Sequence, residues 1–310
     1  MTKLSNATLR TVLAAALASI VLAGCAAAPG DDDGRPRAAV TISIIADMVG
    51  AVAGDAVEIT SIVPIGGDPH VYEAKPSDAR LVAEADIVFR NGAGLERWLD
   101  QLIDTGVDDQ PVITVTDGVT PQVQTEGQYA GDPDPHMWMD PQLAMAYVDN
   151  ITEGLSELLP DQAGEFQANA QAYKERISQL DEEIRELVAT IPEDNRKLVT
   201  THDAFRYFGS RYGFEVIATI WGISTEREPS ADEVRRIVDA VRASGVPTVF
   251  VETTINPRLM ERIATDAGVE VGTPLYGDSV GPEGSGAEDY LGMMLANARS
   301  IASGLGGTPE

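Results

Sequence analysis

The sequence contains only three histidines, and each stands where the chain is stiff or an element ends. His136 lies in the stretch DPHMWMDP, residues 134–141, between two prolines. Proline fixes its own φ and biases the preceding residue toward extended backbone, so such a stretch aims a side chain in one direction. His70 lies in GGDPHVYEAKPSD, past a β-rich run and before a helical one, and His202 ends LVTTH. Imidazole is the commonest side-chain metal ligand. A single histidine at a strand end is ordinarily structural; three of three in such loops point to one metal ion. Three imidazoles call for a fourth ligand, and Asp278 in LYGDSVG and Glu252 in FVETT compete for that place. Asp68, Asp134, Asp140 and Asp203 flank the histidines and are candidates to orient a ring N–H. Helix capping suits Asp140 as well, and plain solvation suits Asp134. Glu73 and Arg206 are further candidates for the cleft wall, and Trp138 with Met137 and Met139 reads as core beneath His136.

The elements that must carry these residues alternate. Val40–Ala46, Val57–Pro64, Ala85–Gly92 and Pro111–Asp117 read as buried strands, with helices such as Pro76–Ala85 and Gly94–Asp104 between them. A second series has strands at Arg196–Asp203, Phe214–Trp221, Pro247–Thr254 and Val269–Tyr276. Ser230 to Glu233 is a capping box, and Asn256-Pro257 reads as an N-cap followed by proline. Two βαβ series imply two α/β lobes, each with a mostly parallel sheet flanked by helices. In such sheets ligands bind beyond the carboxyl ends of the strands, which is where the histidines are expected. Between the series, Phe166, Ala170, Tyr173, Ile177, Leu180, Ile184 and Leu187 recur at helical spacing in a segment without proline. We read residues 161–190 as one long rigid helix joining a lobe at 40–160 to a lobe at 191–310.

The first residues belong to neither lobe. Lys3 and Arg10 precede the apolar run Thr11 to Gly24, which ends Leu22-Ala23-Gly24-Cys25. This has the form of a signal peptide over residues 1–24 with a lipobox, so the expected modification is lipidation of Cys25. Cys25 is the only cysteine, which excludes an intramolecular disulfide. Residues 25–39 are small, polar and rich in Pro and Gly, as a flexible tether is; the acidic run Asp31-Asp32-Asp33 within it reads as solvated. Net charge is −27, and removing a leader with two basic and no acidic residues makes the rest more acidic still. That balance excludes nucleic acid as a partner and is compatible with gathering cations.

Taken in order, GGDPHVYEAKPSDA, NGAGLERWLD, DPHMWMDP, THDAFRYFGSRYG, GISTEREPS, FVETTINP and PLYGDSVG with EDYLGMM resemble the metal-ion substrate-binding lipoproteins of ABC importers, the zinc/manganese class. The resemblance covers roughly residues 40–305. It implies two α/β lobes joined by one long helix, with His70, His136, His202 and Asp278 as ligands of a transported Zn2+ or Mn2+ in the cleft. It also implies delivery to a transmembrane permease by a monomer held to the extracytoplasmic face of the cell membrane by lipid alone. A nitrogen-rich donor set favours Zn2+. Zinc receptors of this class often carry a His-rich acidic loop, and residues 120–135 hold no histidine. Many manganese receptors place Glu where this chain has His202. Two rivals are a three-histidine zinc enzyme and a surface adhesin with a structural metal. A fourth protein ligand argues against the enzyme, as does the lack of HExxH and GxSxG motifs.

Overall fold

Four short strands, β1 (Arg37–Val40), β2 (Glu58–Ser61), β3 (Ile87–Arg90) and β4 (Val112–Thr114), form the first sheet in the order β2-β1-β3-β4, all parallel. The computed structural model describes residues 34–99, 102, 110–124 and 129–309. The leader, Cys25 and the acidic run Asp31–Asp33 lie outside the described residues, as does part of the helix expected around 94–104. No described helix is long and apolar enough to cross a membrane. Strand β1 already occupies residues 37–39, which the sequence had assigned to the tether.

The strand expected at Val40–Ala46 is corrected. Only Val40 is in β1, and Ser43–Ala53 is helix α1. Ile44, Ile45, Met48, Val49 and Val52 all point into the core. A short β-branched run cannot be told from a buried helix by periodicity, and tertiary packing settles it as helix. Helix α2 (Pro76–Glu84) follows β2, and its Asp78 carboxylate accepts from Lys75 N. Helix α3 (Pro141–Leu158) starts as expected: Asp140 Oδ1 accepts from Gln142 N and Pro141 takes the first turn, where its missing N–H costs nothing.

The joining helix, α4 (Ala163–Ala189), is 27 residues long, about 40 Å at the α-helical rise. All seven apolar residues singled out in the sequence are buried along one face. The second lobe has two parallel pairs, β5 (Lys197–Thr200) with β6 (Glu215–Thr219) and β7 (Thr248–Val249) with β8 (Glu270–Val271). Phe250 N donates to Val199 O and brings the pairs alongside. Helices α5 (Arg206–Tyr212), α6 (Ala231–Ser244) and α7 (Arg258–Ala267) flank them. The Ser230–Glu233 capping box forms. Helix α7 begins one residue later than expected: Pro257 is its N-cap, and Asn256 Oδ1 still accepts from Arg258 N.

Helix α8 (Tyr290–Gly304) was read as part of the second lobe, yet it lies against α4 and α1. Its Tyr290, Met293, Met294, Ala298 and Ile301 share one apolar cluster with α1, α3 and α4. Polar clamps reinforce this joint. Asp47 Oδ2 accepts from Tyr173 OH and Tyr290 N, each at 3.0 Å. Asp181 Oδ1 on α4 accepts from Arg211 Nε and Tyr212 OH, each at 2.9 Å. The lobes are thus tied to a rigid strut at several points, and the cleft between them cannot open widely without breaking buried packing.

Candidate metal centre

The four expected ligands meet. His70, His136, His202 and Asp278 each offer a donor atom within 4.8 Å of the others, and all four are buried. His70 and His136 come from the first lobe, His202 and Asp278 from the second.

Each side chain is aimed by its own local device. His202 stands two residues past β5. Its N–H donates to Glu252 Oε1 at 2.8 Å, and its Nδ1 faces Glu252 Oε2 at 2.6 Å. Thr201 Oγ1 donates to the same Oε1 at 2.6 Å. His136 does not follow a strand; it precedes a single 3-10 turn, Met137–Met139, that leads into α3. Asp134 Oδ1 accepts from its backbone N–H at 3.0 Å and lies 2.8 Å from its Nδ1. Asn91 Nδ2 donates to Pro135 O and Tyr207 OH to Asp134 O, which pins the stretch from both sides. Trp138 lies edge-on to the His136 ring at 5.3 Å and donates through Nε1 to Gly277 O. With Met137 and Met139 it belongs to the core, as expected. His70 is set by its loop: its N–H donates to Asp68 Oδ1, and Trp98 Nε1 donates to Pro69 O.

The ring nitrogens that remain face one another. His136 Nε2 lies 3.2 Å from both His70 Nε2 and His202 Nε2. Asp278 Oδ1 is 3.4 Å from His136 Nε2; its Oδ2 is 3.3 Å from His202 Nε2 and 3.8 Å from His70 Nε2. Neither Asp278 oxygen has a hydrogen-bond partner, although both are buried. A buried unpaired carboxylate is costly unless a cation meets it. Asp134 Oδ1 fixes a proton on His136 Nδ1, so that ring, when neutral, presents Nε2 as a lone pair to the centre; the Glu252 carboxylate beside His202 Nδ1 favours the same tautomer electrostatically. Ligands at the usual zinc–nitrogen distance are about 3.3–3.4 Å apart along a tetrahedral edge; four of the five contacts lie close to this, and the contact of His70 with Asp278 is longer, at 3.8 Å.

Electrostatics agree with a centre that exchanges protons for a cation. Burial disfavours the charged form of His136, but Asp134 and Asp278 outweigh it and raise the group to about 9. His202 is likewise raised well above its ordinary value against burial, by Glu252 and Asp278. Burial pushes His70 down to about 3. Asp278 is held well below the usual carboxylate range, against burial, by His202 and His136.

The other candidates fall elsewhere. Glu252 stands behind His202, outside the group that His70, His136, His202 and Asp278 form. Asp140 caps α3, and Asp203 pairs with Arg206 and Gln124. Glu73 is exposed on its loop. Gly277 went unnoticed in the sequence: a Cβ there would lie 2.3 Å from Glu252 Oε2 and 3.3 Å from His202 Cε1. Only glycine lets this backbone pass over the carboxylate that backs His202.

Comparison with known proteins meets this geometry from the other side. The chain is 40% identical to "Manganese-binding lipoprotein MntA" of Halalkalibacterium halodurans, over 93% of this chain and 95% of that one. It is 34% identical to "Iron-binding protein YfeA" of Yersinia pestis, over 90% and 89%. The solved structure of the periplasmic zinc binding protein TroA from Treponema pallidum superposes with a TM-score of 0.83 at 30% identity, covering 88% of this chain and 99% of that one. The family described as zinc-uptake complex component A, periplasmic, matches residues 39–304, and the chain belongs to this family of metal-ion solute-binding proteins.

Proposed function

We propose that this chain captures a divalent transition metal ion, Zn2+ or Mn2+, between its lobes and hands it to the permease of an ABC importer. In this reading His70, His136, His202 and Asp278 are the ligands. The protein works as a monomer at the extracytoplasmic face, held to the membrane by lipid on Cys25. The observation that carries the reading is the set of three Nε2 atoms and one unpartnered buried carboxylate at the spacing of a coordination shell. Four protein ligands close the shell, so no open position remains for the activated water a zinc hydrolase needs; this favours a carrier over an enzyme. Relatives named for manganese, iron and zinc fit a donor set of imidazole with one carboxylate, which suits several of these ions. Asp278 turns one oxygen toward His136 and the other toward His202 and His70. It can therefore bind through one oxygen or both, giving four- or five-coordination.

The test is competitive titration of Zn2+ and Mn2+ on the purified protein and on single alanine variants of the four ligands. Loss of a partner behind a ligand typically costs about 10–100-fold in affinity, so loss of any ligand should cost at least that. Asp278→Ala binding as well as wild type would remove it from the set. His202→Glu trades a borderline nitrogen for a hard oxygen and should move preference toward Mn2+. An unchanged ratio would assign selectivity to cavity geometry instead. Release of Cys25→Ala from membranes tests the anchor.

A further inference from the structure

Among the four ligands, three are sealed and one is not. His136 and His202 are 0% exposed and Asp278 1%, whereas His70 keeps 8%. His70, whose side chain keeps 3% exposure, is the one of the four that lines a cavity of about 60 Å³. The first lobe supplies one wall with Ala93, Pro135 and Tyr129, and the second lobe supplies the other with Ile223 and Ser224. A water molecule needs about 10–15 Å³ of such volume, so the space holds a few waters, or an ion that has shed most of its shell. Three charged residues stand at the outer end. Arg97 Nη2 pairs with Asp132 Oδ2 at 3.3 Å, with side chains 60% and 42% exposed, and Glu226 is exposed beside them. Two hydrogen bonds bridge the lobes along this path: Tyr129 OH donates to Ser224 O at 3.4 Å, and Thr225 Oγ1 donates to Asp68 Oδ2 at 2.6 Å.

We infer that the metal ion enters and leaves past His70 through this cavity, with Ser224 and Tyr129 forming its narrowest walls and the Arg97–Asp132 pair setting the charge at its mouth. The inference rests on the metal-binding reading above and adds the path and the residues that set exchange rates. None of the four mouth and wall residues is a ligand. The chemistry is simple. A divalent cation approaching the mouth meets one guanidinium and two carboxylates. Arg97 offsets much of the attraction of Asp132, so the mouth slows the ion while the acidic surface as a whole attracts it. The narrow neck imposes a barrier that is the same in both directions, so it alters rates and not equilibrium.

The experiment is stopped-flow mixing of the purified protein with Zn2+ or Mn2+ for association, and with excess chelator for dissociation, beside equilibrium titration. Ser224→Leu fills the neck and is expected to slow association and dissociation together, by about tenfold or more, with the dissociation constant unchanged within about threefold. Tyr129→Ala widens the neck and is expected to speed both. Arg97→Ala is expected to speed association a few-fold at low salt, about three- to tenfold, and to lose that advantage near molar salt. Unchanged rates in both Ser224→Leu and Tyr129→Ala, with melting temperatures close to wild type, would overturn the path. A change confined to dissociation in Ser224→Leu would overturn it too, because that pattern marks an effect on the bound state. Equal association rates for wild type and Arg97→Ala at low salt would overturn the role of the mouth charge. A wild-type protein that takes up neither ion would instead defeat the metal-binding reading, a separate outcome.

Discussion

Glu252→Gln gives the sharpest test of how the centre is held. In the wild type, Oε1 accepts from Thr201 Oγ1 and from His202 N, and Oε2 faces His202 Nδ1 at 2.6 Å. Glutamine can keep Oε1 as an acceptor, so the two outer bonds survive. Its NH2 group, however, brings a donor to within 2.6 Å of an N–H donor. His202 must then move its proton to Nε2, where it points at the ion, or turn its ring away. Either way the close contact between the ring and a buried charge is lost, about 1.5–3 kcal/mol on the scale of a charge-assisted contact. That range corresponds to roughly 10–100-fold in affinity. Competitive Zn2+ titration at fixed pH should therefore show a 10–100-fold weaker dissociation constant, while the volume of the side chain and the fold are unchanged. The same change lowers the basicity of His202, because Glu252 is the strongest influence raising it. Proton competition at that ring should weaken accordingly, and the acid limb of the affinity curve should move to lower pH. An affinity within threefold of wild type, with a normal melting curve, would refute the claim that Glu252 fixes the ring.

Four further outcomes are expected. Gly277→Ala would press a methyl group against Glu252 Oε2, so it should weaken binding in the same direction as Glu252→Gln; a double variant losing the full sum would show that the two act independently. Metal uptake near pH 7.5 should release about one to two protons, because His136, raised to about 9, and His202, also raised, must give up charge to become ligands; calorimetry in two buffers of different ionisation enthalpy measures this, and no proton release would contradict it. By the same sign, His136 stabilises the ion-free protein fully below pH 6.5 and loses that contribution as pH rises through about 9, with His202 acting in the same direction, so its melting temperature should fall over that window while metal affinity rises. Asp181→Asn should cost about 2–4 kcal/mol by removing the charge that pairs with Arg211 and setting an NH2 donor against Arg211 Nη2, where Oδ2 now accepts. The Asp181 carboxyl is held below its ordinary value, with Arg211 and Tyr212 outweighing burial, so that stability is present above about pH 4 and fades as pH falls through the lower folded value; melts of wild type and variant should converge in strong acid.

Local pattern carried much of this protein into view. Three histidines beside proline or a strand end pointed to one shared site, and the structure brings them together with Asp278. The spacing of Phe166, Ala170, Tyr173, Ile177, Leu180, Ile184 and Leu187 predicted α4, and all seven are buried in the structure. Asp140-Pro141 and Ser230 with Glu233 marked helix starts that form as read. Such signals are legible because caps, periodicity and proline act over a few residues. Other features arose only when distant segments met. Asp278 and Glu252 are both acidic residues in loops of the second lobe, and sequence alone left them as rivals. Packing separates them: Glu252 is taken by Thr201 and the His202 backbone under Gly277, while Asp278 is left without a donor, facing three imidazoles. Ile44 and Ile45 favour a strand locally, and the core that α3, α4 and α8 build around them makes a helix. The return of α8 onto α4, the hydrogen bond from Tyr129 to Ser224, and the 3.2 Å contacts among the imidazoles join residues scores of positions apart. No local preference encodes those distances; they are fixed by the shape into which the lobes close around the strut.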